Sequence, residues 1–113
     1  RVMYSRFLEV LPNAVHDQLN KGRDLYLVDV RPAYEYTRGH PPGAVSIPLE
    51  RISQMEIRRE LGDEAGRQSP LYLISGSGEK AVKAATKLQQ EGLHQCLLVR
   101  GGTDAWSEDY HLS

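Results

Sequence analysis

Three stretches of this 113-residue chain carry residue types that can do chemistry. The first is Ser75-Gly76-Ser77-Gly78-Glu79-Lys80, which follows the apolar run Leu71 to Ile74 and leads into a segment of helical periodicity. A glycine-rich turn entering a helix can aim several backbone N–H groups inward, and the helix N-terminus adds about half a positive charge. An anion on or beside residue 75 would be stabilised there. The competing explanation is that Gly76 and Gly78 only make the tight turn between a strand and a helix. The second stretch places Asp29 and Arg31 at a strand end, with Glu35 and His40 downstream. There a carboxylate and a guanidinium can satisfy loop backbone and each other, so Asp29, Arg31 and Glu35 read as supporting groups. His40, ahead of two prolines, reads as a hydrogen-bond partner of loop backbone and not as a general base. The third is Cys96, set in the apolar run Cys96 to Val99. It reads as a small buried hydrophobe, because a reactive thiol needs exposure and an electropositive setting.

Other chemistries fit the loop less well. Gly76 to Ala81 matches the G-x-G-x-x-A dinucleotide pattern after a strand, and Arg100 lies where an NADP-phosphate partner could be presented. Yet only one clear strand follows, and that fingerprint normally opens a fold with several more. The loop lacks the spacing of a P-loop, and its glycines flank Ser77 too closely for a nucleophile elbow. His16, His40, His94 and His111 show no ligand spacing, so no metal and no cofactor are expected. Fourteen basic against fifteen acidic residues give a charge of -1, which leaves no electrostatic drive toward nucleic acid. The longest apolar runs are far too short to span a bilayer, so no membrane contact is expected for this segment. With a single cysteine an internal disulfide is ruled out, and a reducing, cytoplasmic compartment is the expectation. The chain has the size of one domain, residues 1–113, and its start at Arg1 suggests excision from a longer protein.

The elements that must position these groups alternate. Pro12 and Gly22 bracket a helix on which Leu11, Ala14, Val15 and Leu19 share a face. Residues 25–30 form a strand buried on both faces, 38–43 a rigid proline loop and 44–48 a brief strand. A helix is predicted over 49–61, a polar connection over 62–69, and a strand over 71–75. From Gly78 to a stop at Gly92 runs the best helix, with Ala81, Val82, Ala85 and Leu88 on one face. A strand from Cys96 to Arg100, a turn at Gly101-Gly102 and a short helix from Thr103 or Asp104 complete the order. Trp106 reads as a core anchor. Strands alternating with helices call for an α/β fold with a mostly parallel central sheet flanked by helices on both faces. Ligands of such sheets bind at the carboxyl ends of strands, where the loop from Ser75 lies.

Taken together, these motifs resemble rhodanese domains. Asp29, Arg31, Glu35, Gly39, His40, Gly43, Ala44 and Pro48 fill the places of that family's first signature, and Gly101, Gly102 and Trp106 those of its closing one. Ser75, Gly78 and Lys80 occupy the named positions of its Cys-x-x-Gly-x-Arg active loop. The resemblance covers nearly the whole chain and implies the rhodanese three-layer fold. It also implies a sulfurtransferase that takes a sulfane sulfur from a donor such as thiosulfate, holds it as a loop persulfide, and passes it to a thiol or other acceptor. Its partners would be such small sulfur-containing anions, with a protein partner or fused domain as a further possibility. The six-residue loop has the length seen in sulfurtransferases rather than in the related phosphatases.

Ser75 departs from that pattern, since a hydroxyl is far less acidic than a thiol and oxygen forms no stable persulfide counterpart. Lys80 keeps the charge of the family's arginine but loses its two-pronged grip on an oxyanion. Glu79 sets a negative charge near an anion site. The chain is therefore expected to be silent in persulfide chemistry. Its alternative role is a noncatalytic binding or regulatory module using loop 75–80. Two origins account for the serine: a natural residue, or a replacement of cysteine made to trap a ligand or suppress oxidation.

Overall fold

The structure is a computed structural model that describes residues 7–113; Arg1, with the other five leading residues, lies outside it. Short apolar runs form three central strands, β2 (Tyr26–Asp29), β4 (Leu71–Ile74) and β5 (Cys96–Val99), and two-residue strands β1 (Glu9–Val10) and β3 (Val45–Ser46) close the edges. The order is β1-β5-β4-β2-β3 and every pairing is parallel. The sequence called for a mostly parallel sheet; among the described residues it is wholly so.

Side chains alternate across a strand, and both faces are covered. Val28, Leu71, Leu73, Cys96 and Leu98 enter one core with Ala81, Ala84, Ala85 and Leu88 of α4 (Glu79–Gln90) and Ile57 of α3 (Gln54–Leu61). Leu27, Tyr72, Ile74 and Val99 enter the other with Val15 of α1 (Pro12–Asn20) and Trp106 of α5 (Gly102–Asp109), while α2 (Ala33–Arg38) adds Tyr36. Burial of each large aliphatic side chain contributes about 2 kcal/mol. Trp106, fully buried, is the core anchor its place in the sequence suggested.

Two local expectations are corrected, and two elements are added to those the sequence announced. The helix read over 49–61 is two pieces, a 3-10 turn at Leu49–Arg51 and α3, because Ile52 is extended and fully buried and Ser53 starts a new helix by accepting the Glu56 N–H at 3.0 Å. On α3 it is Ile57 that is buried, while Met55 is exposed. Leu11 precedes α1 as its cap and is exposed, as is Ala14, so Val15 and Leu19 carry that contact. Helix α2 and strand β1 were not read at all, since six and two residues give little periodicity.

The sheet register fixes the site. Asp29 lies level with Ile74, and the Val30 N–H donates to the Ile74 carbonyl at 2.9 Å. Arg31 and Ser75 therefore leave adjacent strands side by side at the carboxyl edge.

Candidate functional site

Ser75, the first residue beyond β4, is 1% exposed, and its Oγ accepts hydrogen bonds from the Gly78 N–H at 3.1 Å and the Ala81 N–H at 3.2 Å. The cap position of α4 is Gly78, at φ +114, a conformation that favours glycine and leaves no side chain to receive first-turn donors. The serine three residues earlier receives them instead, acting as a cap from a distance.

The carbonyls of the loop turn the other way. Ser75 O accepts from the Thr103 N–H at 2.7 Å and Gly76 O from the Asp104 N–H at 3.0 Å, both at the start of α5. A planar trans peptide points each N–H opposite the preceding C=O, so the amides of Gly76 and Ser77 face away from α5. Those two amides, with the amides of Glu79 and Lys80, make no hydrogen bond among the described residues. Gly102 allows the arrangement: it sits at φ +63, and a Cβ there would lie 2.1 Å from Ser75 O and 2.5 Å from Gly76 O. The sequence reading took the glycine doublet for a turn and missed that Gly102 and Thr103 orient the loop; the doublet itself, directly after a strand, was the available signal.

The result is a recess of about 190 Å³ lined by Arg31, Pro32, Glu35 and the loop residues Ser75, Gly76, Ser77, Glu79 and Lys80. Arg31 is committed elsewhere. Its Nε and Nη2 donate to the Asp29 carboxylate at 2.7 to 3.0 Å, and Nη2 also donates to Gly39 O at 2.6 Å. The hydrogen bonds to Asp29 hold the guanidinium above its ordinary range, against the opposing effect of burial, so it stays charged at every physiological pH. Lys80 forms no ion pair among the described residues, and neither do Glu35 and Glu79. The mouth thus offers amides and one uncommitted ammonium, but also two carboxylates.

The remaining expected site residues stand behind this wall. Asp29 is fully buried under Arg31. His40 stacks on Tyr36 at 3.7 Å with its Nδ1 2.8 Å from Tyr36 O, outside the recess. Arg100 pairs with Glu9 at 3.0 Å on the surface, away from the role that a dinucleotide would ask of it. No cluster of three or more potential metal ligands occurs among the described residues. There, too, no helix is long and apolar enough to cross a membrane. Cys96 opens β5 level with Leu71, so it lies about 13 Å along the strands from residue 75. Burial pushes its thiol up to about 11.

A model of the rhodanese-like domain matches residues 11–109. The chain is 31% identical over 91 residues to the adenylyltransferase and sulfurtransferase uba4 of Ogataea parapolymorpha, covering 80% of this chain and 22% of that protein. It is 26% identical over 99 residues to the putative sulfur carrier protein YrkF of Bacillus subtilis, covering 88% of this chain and 50% of that one. The chain thus spans half or less of the length of these two relatives. The crystal structure of the BH2092 protein from Bacillus halodurans superposes with a TM-score of 0.76 at 26% identity, covering 90% of this chain and 72% of that one.

Proposed function

The chain belongs to the rhodanese-like domain family, and from that premise we propose that it is a sulfurtransferase domain silenced at its nucleophile, with loop 75–80 still able to hold a small sulfur-containing anion. One observation carries the reading: the Ser75 Oγ sits at the focus of inward N–H groups at the carboxyl end of β4. In the reaction the family implies, a thiolate there attacks the sulfane sulfur of thiosulfate, the S–S bond breaks and sulfite leaves. The resulting persulfide is then taken by a thiophile. Amides preset around the sulfur would stabilise its charge without reorganisation.

Ser75 supports none of these steps. Two N–H groups already draw on its lone pairs, and no histidine lines the recess to take its proton. The hydroxyl instead holds the first turn of α4, which favours retention of the fold as a binding module. Relatives that extend well beyond the length of this chain support a fused domain or a protein partner as the context.

Incubation with thiosulfate and cyanide tests the reading. The chain as given is expected to release no thiocyanate above a heat-inactivated control, and Ser75→Cys is expected to gain turnover. Turnover by the unaltered chain would refute the silence. A Ser75→Cys variant that folds and binds thiosulfate without turning over would shift the defect to Glu79 and Lys80.

A further inference from the structure

A second recess, of about 330 Å³, adjoins the first and is lined by Arg31, Tyr34, Glu35, Arg38, Gly39 and Leu112. The two meet along Arg31 and Glu35, which line both. Their chemistry differs. The first is peptide and charge; the second presents the ring of Tyr34, 60% exposed, and the side chain of Leu112, 36% exposed. The Arg38 guanidinium lies 5.4 Å above the Tyr34 ring and forms no ion pair among the described residues.

The Leu112 wall is held in place. Ser113 N–H donates to His40 O at 2.7 Å and His40 N–H to Ser113 O at 3.2 Å, while Trp106 Nε1 donates to His111 O at 3.4 Å. Leu112 rests on Gly39, where a Cβ would meet it at 3.2 Å. Gly39 in turn accepts from Arg31, so the wall and the loop recess share a common support.

These features select among sulfur anions. A compact dianion such as thiosulfate would bring both charges between Glu35 and Glu79. A ligand with one negative sulfur head, an apolar body and a distal carboxylate would spread its charge across the two recesses, its head toward the loop amides, its body over Tyr34 and Leu112, and its carboxylate toward Arg38. We propose that the second recess is a subsite for the body of an organic thiosulfonate ending in a carboxylate, a proposal that rests on the reading of loop 75–80 as a sulfur-anion site.

Because Ser75 does not react, binding can be titrated without turnover. Calorimetry on the unaltered chain would compare inorganic thiosulfate, benzenethiosulfonate and 4-carboxybenzenethiosulfonate. The carboxylated probe is expected to bind tightest. Arg38→Ala should weaken it about threefold to fivefold at low salt, as suits an exposed ion pair, and leave thiosulfate unchanged. Lys80→Ala should weaken all three. Thiosulfate binding as tightly as the carboxylated probe, or indifference of that probe to Arg38→Ala, would overturn the subsite and leave the loop reading standing. No binding of any of the three would overturn both.

Discussion

At the carboxyl end of β4 two amides converge on an oxygen; at the amino end of β5 a sulfur lies among apolar side chains. Ser75 directly follows β4 and Cys96 opens β5, neighbouring strands of one sheet; the two residues are similar in size and both buried. They differ in which end of the parallel strands they occupy. Peptides at the carboxyl end open into a loop and meet the starts of α4 and α5, where donors are unsatisfied and partial charge is positive. Among the described residues the Cys96 thiol reaches the Leu93 carbonyl alone, at 3.7 Å, and burial raises the thiol to about 11. Sulfur reactivity in this fold is thus a property of place before it is a property of the residue.

The largest blow to that contrast would come from Gly102→Ala. Its methyl would enter the Ser75 and Gly76 carbonyls from a left-handed backbone position. Strain and overpacking together are expected to cost about 3 to 5 kcal/mol, read by urea unfolding. An unchanged midpoint would mean that α5 does not set the loop. Next comes Asp29→Asn, which leaves the Arg31 charge without its carboxylate partner. Loss of a buried partner of this kind costs about 3 kcal/mol, and the same unfolding experiment should show it. Ser75→Ala is milder, since it removes the acceptor of two amides at a helix start; a loss of about 1 to 2 kcal/mol is expected. A neutral or stabilising result would deny the hydroxyl its capping role.

How far the residues announced all this depends on the range of the forces involved. The strands at Tyr26, Leu71 and Cys96 were readable because four-residue apolar runs between glycines and prolines have few other uses. Ser75 and its loop were readable because strand, glycines and helix fall in sequence, and Asp29 with Arg31 because two residues apart they can pair locally. Apart from its place in the family's closing signature, Gly102 was read as punctuation. Its partners, the carbonyls of Ser75 and Gly76, lie far away in the chain, and no periodicity reports a contact between two backbones. The break at Ile52 escaped for a related reason: a buried isoleucine fits a helix pattern equally well, and only the Ser53 cap marks the boundary. Tyr34, Arg38 and Leu112 meet through the tertiary fold alone.

The contrast also has a signature in pH. The Cys96 thiol has its ordinary value of 9.0 when unfolded and about 11 when folded, so between those values the unfolded chain has lost a proton that the folded one keeps. Stability therefore falls as pH rises through that window. Below it the cysteine makes no demand.

The most direct test puts both sulfurs in one molecule. In the Ser75→Cys variant, alkylation by iodoacetamide can be followed at each site by peptide mass spectrometry across a pH series, with Cys96 as the internal reference. The introduced thiol is expected to titrate well below the ordinary thiol value of 9.0, while Cys96 reacts only as pH approaches about 11. An introduced thiol that titrates at or above the ordinary value, or a Cys96 that reacts first, would contradict the claim that the end of the strand decides the chemistry.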